Sequence, residues 1–223
     1  MNFDDLALLA MSVNQLAQKL GDSCYFFLAI NFFWGLYCVV LGWRRVGALS
    51  FRNQDQQEQF LEQFMTAMHQ HNYSAAQEMT ADDPRALPHL AHIAAVHHNI
   101  GFEPLRQKIM EVMMRDVLGS LEYRTSWIAT VIKSGPLLGL FGTVLGMMAA
   151  FGRIGSGEKV NATMIADEIS IALICTAMGL ATAIPFNFLL ASINVKVRRL
   201  QDGLTFGLVT ILDYVKKQEE ANG

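Results

Sequence analysis

Thr143 and Thr176 are the residues of this chain best placed to do chemistry, because each is a hydroxyl deep inside a long uncharged stretch. Thr143 lies ten residues before Arg153, and Thr176 lies eight residues after Glu168. At a helical rise of 1.5 Å per residue these separations are ~15 Å and ~12 Å. If both charges mark one face of a bilayer, both hydroxyls sit near the midplane of a ~30 Å hydrocarbon layer. A hydroxyl at that depth can relay a proton or ligate a small cation. Around Thr143, at helical spacing, lie Pro136, Gly139, Gly146, Met147 and Ala150; around Thr176 lie Ala172, Gly179 and Ala183. The same face of the third stretch carries Glu168 at one end and Asn187 and Asn194 toward the other, within an arc of roughly 100°.

Two readings of this stripe compete. A membrane-buried threonine often bonds its own i−4 carbonyl, and glycines often serve only tight helix packing. The matched depth and the length of the polar stripe favour a lined pathway instead. The candidate ion-pathway residues are Thr143, Thr176, Glu168 and Asn187. The candidate packing residues are Gly135, Gly139, Gly142, Gly146, Gly179 and Ala183, with kinks at Pro136 and Pro185 that free the carbonyls of Ile132 and Ala181. No Asp, Glu or His occurs within 134–152 or 169–195, so a titratable midplane group has to come from a partner chain.

Positioning these residues requires membrane helices. The 223-residue chain is 52% hydrophobic and 17% charged, with a mean hydropathy of +0.27, too apolar for an ordinary soluble domain. Residues 23–43, 134–152 and 169–195 hold no charge, and each exceeds the ~18 residues that mark a spanning helix. The expected fold is all-α, an integral membrane protein with three transmembrane helices, two of them extended into a cytoplasmic helical bundle. Its expected parts are an outer-face amphipathic helix (1–22), spans at 23–43, 127–152 and 168–195, a cytoplasmic helical segment (44–126), a short periplasmic loop (153–167) and a cytoplasmic C-terminal helix (196–223). Arg44, Arg45, Arg52, Arg115, Arg124, Lys196, Arg198 and Arg199 gather on one side, which puts the N-terminus outside and the C-terminus in the cytoplasm.

The apolar stripe Leu105, Ile109, Val112, Met113, Val117 and Leu121 predicts one helix from Pro104 to about Phe151. A second stripe, Val197, Leu200, Leu204, Leu208, Ile211 and Val215, continues the third span. Breaks are expected at Asp82-Asp83-Pro84 and at Pro88. Aromatic residues on all sides of 23–43 suit a lipid-facing helix, and its one amide, Asn31, suits a helix–helix hydrogen bond.

Other chemistries are poorly supported. Gly21-Asp22-Ser23 has the look of a hydrolase nucleophile, but no Asp-x-x-His follows to activate Ser23, which reads as a helix cap. All six histidines fall within 69–98 without a zinc-binding spacing and read as solvated helix surface, so neither a metal nor a cofactor is expected. Cys24, Cys38 and Cys175 all lie in expected spans, where cysteine packs as a small hydrophobe. The net charge of −3 and the lack of a basic run argue against nucleic acid, and Asp4 and Asp5 argue against a cleaved signal peptide.

The segment Gly135-Pro136-Leu137-Leu138-Gly139-Leu140-Phe141-Gly142-Thr143-Val144-Leu145-Gly146-Met147 resembles the second-span motif of the MotA/TolQ/ExbB proton-channel family. Ala172-Leu173 followed by Thr176-Ala177-Met178-Gly179-Leu180-Ala181-Thr182-Ala183-Ile184-Pro185 resembles its third-span motif, and three spans match the ExbB/TolQ branch. The resemblance covers roughly 105–195. It implies a non-enzymatic homopentamer in the bacterial inner membrane, surrounding two copies of a single-span ExbD/TolR-type partner. Ion flow past Thr143 and Thr176, carried by the partner's aspartate, would then drive work on a periplasmic or outer-membrane target. The alternative is a non-conducting membrane scaffold assembled through small-residue packing. The chain departs from the ExbB and TolQ pattern at Ile171, where those proteins have a glutamate, and at Leu190-Ala191, where they tend to have Tyr-Asn.

Overall fold

Apolar stretches of this length satisfy their backbone polar groups in a membrane only as helices, and every regular element among the described residues is helical. The computed structural model describes residues 3–155 and 161–222, with side chains from Ser23 to Gly155 and from Asn161 to Ala221. The elements are α1 (Phe3–Leu49), α2 (Gln54–His69), α3 (Tyr73–Ala81), α4 (Ala86–Val96), α5 (Phe102–Val112), a π-helical turn (Met113–Leu118), α6 (Gly119–Gly155) and α7 (Ala162–Asn222). Three helical stretches, Ser23–Leu49, Phe102–Gly155 and Ala162–Ala221, are long and apolar enough to cross a membrane.

Several sequence expectations need correction. α1 is continuous from Phe3 to Leu49, so Ser23 lies inside a helix and does not cap one. Gly, Asp and Ser cost up to about 1 kcal/mol each in a helix, too little to break one flanked by helical sequence on both sides. The amphipathic face expected of residues 3–20 lies outside the described side chains. Pro88 does not interrupt the chain either; like Pro104 in α5, it occupies the first turn of its helix, where an N–H would have no intrahelical partner. The break at 82–85 is present, between α3 and α4.

The helix expected to run unbroken from Pro104 is divided by the π-helical turn. Its buried residues Leu105, Ile109, Met113, Val117 and Leu121 recur every four positions. In an uninterrupted α-helix at 100° per residue such a series drifts by about 160°. The wider i→i+5 winding of a π turn absorbs part of that drift and keeps all five side chains inside.

Two compact units divide the chain. The first comprises Met1–Val39 and Ser126–Leu190, with α1, α6 and α7 packed together. Asn31 of α1 donates to the Ser134 hydroxyl of α6, the helix–helix bond expected of it, although Asn31 Oδ1 is buried without a partner. Trp34 meets Trp127 edge to face at 6.0 Å, and Phe32 lies 5.6 Å from Phe186 of α7. Phe26, Phe27, Phe33 and Tyr37 remain exposed, as a lipid-facing helix requires.

The second unit comprises Val40–Thr125 and Ala191–Gly223. Leu200, Leu204, Leu208, Ile211 and Val215 of α7 are buried, as are Phe60, Leu61, Phe64 and Met68 of α2 and Leu87, Leu90 and Ala94 of α4. Cross-links come from Gln57, whose amide donates to the Gly203 carbonyl at 2.8 Å, and from Tyr214, which donates to the Met68 carbonyl at 2.6 Å. His69, His71 and His89 are exposed, whereas His92, His97 and His98 are half-buried; His92 Nδ1 meets Thr80 Oγ1 at 2.9 Å and His98 stacks on Tyr73 at 3.8 Å.

Candidate functional site

The crossing of α6 over α7 is built from residues without bulk. A Cβ at Gly139 would lie 2.7 Å from the Cys175 carbonyl oxygen and 2.9 Å from Thr176 Cα, so at this point one helix packs directly on the backbone of the other. A Cβ at Gly146 would meet Ala172 Cβ at 2.6 Å, and one at Gly179 would meet the Gly135 carbonyl oxygen at 2.5 Å and Pro136 Cα at 3.3 Å. Gly135, Gly139, Gly142 and Gly146 thus pack against Ala172, Cys175, Thr176 and Gly179 over three turns, the small-residue geometry that allows close approach of membrane helices. Ala183 is buried in the same unit, Pro136 and Pro185 lie inside α6 and α7, and Pro185 is exposed.

This approach brings Thr143 and Thr176 into direct hydrogen-bond contact, both half-buried. Thr143 Oγ1 also lies 3.1 Å from the carbonyl oxygens of Gly139 and Ala172, and Thr176 Oγ1 lies 3.1 Å from the Gly139 carbonyl. Each hydroxyl has one proton and two lone pairs. Thr143 can donate to a carbonyl while Thr176 donates to Thr143, or Thr176 can donate to Gly139 while Thr143 donates to Thr176. In either arrangement both protons are used inside the cluster and the remaining lone pairs are available. The pair therefore presents acceptors, suited to an incoming O–H donor or a cation and unsuited to an anion.

Glu168 is not part of this cluster. Its carboxylate accepts a 2.7 Å ion-paired hydrogen bond from Arg153, joining the end of α6 to the start of α7 eight residues from Thr176. The two charges used to gauge depth are thus paired with each other. Asn187 is exposed on α7, eleven residues beyond Thr176, and does not approach the hydroxyls. Ile171 accepts a hydrogen bond through its carbonyl from the Tyr25 hydroxyl of α1 at 2.8 Å. Sequence reasoning missed α1 as a wall of this region: Cys24 of α1 and Cys175 of α7 both lie against Gly142. Among the described residues, no three of His, Cys, Asp and Glu assemble as a metal-ligand set.

Comparison with known proteins bears on the same region. The sequence profile of the MotA/TolQ/ExbB proton channel family matches residues 91–205, more than half of the chain. The chain is 36% identical over 94 residues to the Tol-Pal system protein TolQ of Haemophilus influenzae, covering 42% of this chain and 41% of that protein. It is 42% identical over 74 residues to the biopolymer transport protein ExbB of Aquifex aeolicus, covering 31% and 50%. A putative biopolymer transport protein, ExbB-like 2 of Helicobacter pylori, is 38% identical over 66 residues, covering 30% and 44%. The chain spans half or less of the length of these relatives.

Proposed function

Because the chain belongs to the MotA/TolQ/ExbB proton channel family, we propose that it is the ion-conducting subunit of an inner-membrane motor and that Thr143 and Thr176 line its pathway. The observation that carries this reading is the direct hydroxyl pair at the α6–α7 crossing, which offers lone pairs in a region without an Asp, Glu or His of its own. The proton carrier is then a carboxyl group on a single-span ExbD/TolR-type partner. In its protonated form it donates to the threonine pair; after losing the proton it is an anion that the pair cannot serve without breaking an internal bond.

Five copies around two partner helices would give each partner carboxyl successive threonine pairs to visit, so that ion flow turns one component against the other. Work would reach a periplasmic or outer-membrane target through the partner. The positive-inside asymmetry of the sequence supports an N-terminus in the periplasm and a C-terminus in the cytoplasm. Glu168, paired with Arg153, stands at the outer entrance, and Asn187 lies toward the inner end.

A second reading is favoured by the same geometry: the glycine contacts and the internally satisfied hydroxyls also suit a scaffold that conducts nothing. Thr143→Val and Thr176→Val separate the two in the assembled complex, reconstituted in liposomes with a trapped pH indicator. The conducting reading expects proton flux to fall at least tenfold while subunit stoichiometry is unchanged. Undiminished flux in an assembled double variant would overturn it in favour of the scaffold.

A further inference from the structure

We propose that Cys24 and Cys175 form a modification site, a thiol pair beside Gly142 that a hydroperoxide closes to a disulfide linking α1 to α7. A Cβ at Gly142 would lie 3.0 Å from Cys175 Cβ, 3.2 Å from Cys175 Sγ and 3.4 Å from Cys24 Cβ. The two Cβ atoms are therefore separated by no more than those Cβ distances combined, about 6.4 Å, against about 3.5–4.5 Å in a formed disulfide. Gly142 matters because its missing side chain leaves room for Cys175 and for the Cβ of Cys24 beside it. The register of the two helices is fixed beside it, since Tyr25 adjoins Cys24 and donates to the carbonyl of Ile171, one turn before Cys175.

The chemistry follows from burial. Cys24 and Cys175 are 1% and 2% exposed, which disfavours the reactive thiolate and keeps charged aqueous reagents out, so that the pair is oxidised slowly and only by a small neutral oxidant in excess. Hydrogen peroxide fits. One thiol sulfur attacks the peroxide: an S–O bond forms, the O–O bond breaks, and the thiol proton leaves with hydroxide as water. The second thiol then attacks the sulfenic sulfur: the S–S bond forms, the S–O bond breaks, and a second water leaves with the second proton. The sulfurs together give up two electrons and the peroxide takes two. A neighbouring thiol gives the sulfenic acid an immediate partner, so the disulfide forms in preference to higher oxides.

Cys175 immediately precedes Thr176, and Gly142 immediately precedes Thr143. Drawing Cys175 toward Cys24 by up to about 3 Å shifts Thr176 against Thr143, enough to break a hydrogen bond between them. The effect on conduction rests on the function proposed above; the formation of the bond does not.

The test uses the unaltered protein, assembled in membranes and treated with hydrogen peroxide, then denatured and alkylated with N-ethylmaleimide for intact-mass and peptide analysis. Loss of two hydrogens with one of three cysteines still alkylated, and a peptide joining Cys24 to Cys175 that a phosphine reductant separates, is the expected result. Cys38, also buried and fourteen residues further along α1, is the internal control: Cys38→Ser leaves the bridge intact, whereas Cys24→Ser or Cys175→Ser abolishes it. Three alkylated cysteines, higher oxides on a single sulfur, or a bridge to Cys38 would each overturn the site. Flux through the assembled complex is expected to fall on oxidation and recover on reduction. A bridge that forms with flux unchanged overturns its control of conduction, while the mass result judges the site without reference to any flux.

Discussion

Thr176 Cα occupies the space that a side chain at Gly139 would fill, with a Cβ there only 2.9 Å away. Backbone against backbone cannot yield as a flexible side chain can. Gly139→Ala is therefore expected to destabilise the protein by about 1–3 kcal/mol despite the better helix propensity of alanine. Gly47 has nothing within 4 Å of its Cβ position, so Gly47→Ala is expected to be neutral or stabilising by up to about 1 kcal/mol. Thermal unfolding of the two detergent-solubilised variants checks the contrast.

The Asn31–Ser134 bond gives an asymmetric expectation. Asn31 Oδ1 is already buried without a partner, so Asn31→Leu removes an existing penalty along with the bond and is expected to change stability by less than about 1 kcal/mol. Ser134→Ala leaves the whole amide unsatisfied in an apolar setting and is expected to cost about 1–3 kcal/mol. Unfolding midpoints in the same detergent compare them, and a larger loss for Asn31→Leu would contradict the assignment.

Arg153 and Glu168 are each partly exposed, and their 2.7 Å contact joins the ends of α6 and α7. A double-mutant cycle with Arg153→Gln and Glu168→Gln is expected to return a coupling of about 0.5–1 kcal/mol after allowing for solvent screening. The coupling should weaken at high salt. A value indistinguishable from zero at low ionic strength would mean that the pair does not hold the two helix ends together.

In the second unit, Arg85 donates through Nε to both oxygens of Asp83 at 2.8 and 2.9 Å, while its guanidinium lies 4.0 Å from the centre of the Phe51 ring. The side-chain hydrogen bonds from Arg85 hold the Asp83 carboxyl below its ordinary value of 3.8. A carboxyl lowered on folding contributes stability that is complete above its unfolded value, near pH ~4, and is lost as pH falls through the folded value. The stability difference between the protein and Asp83→Asn is thus expected to be constant from neutral pH down to about 5, then to shrink on further acidification. Denaturant midpoints across that range check it, and a difference that grew on acidification would have the wrong sign.

What the sequence made legible was whatever depends on distance along one helix. The equal depth of Thr143 and Thr176 follows from the helical rise, and the structure sets the two hydroxyls in contact. The buried stripe of α7 from Leu200 to Val215 was likewise visible in its period. Neighbours on different helices were not: Cys24 and Cys175 stand 151 positions apart, and no periodicity relates them. Asn31 could be recognised as an amide in need of a partner, but Ser134 could not be named. Glu168 was placed on the polar face of α7, yet its pairing with Arg153 depends on how the ends of α6 and α7 meet. The continuity of α1 through Gly21-Asp22-Ser23 was hidden because those residue types favour caps, while the apolar sequence beyond them decided the outcome.

The buried series Leu105, Ile109, Met113, Val117 and Leu121 also held a signal that is easily overlooked, a repeat of four where an α-helix asks for 3.6. The π turn accommodates that repeat, and its consequence is a tolerance to two kinds of genetic change. Exchanging one residue for another on the exposed side, at Met114, Arg115 or Asp116, leaves the phase of the helix untouched. Deleting one of the six residues and restoring ordinary winding removes the same ~100° that the π turn absorbs, so Leu121 keeps nearly its phase relative to Leu105, and this stretch accepts the loss of a residue that an ordinary helix would not.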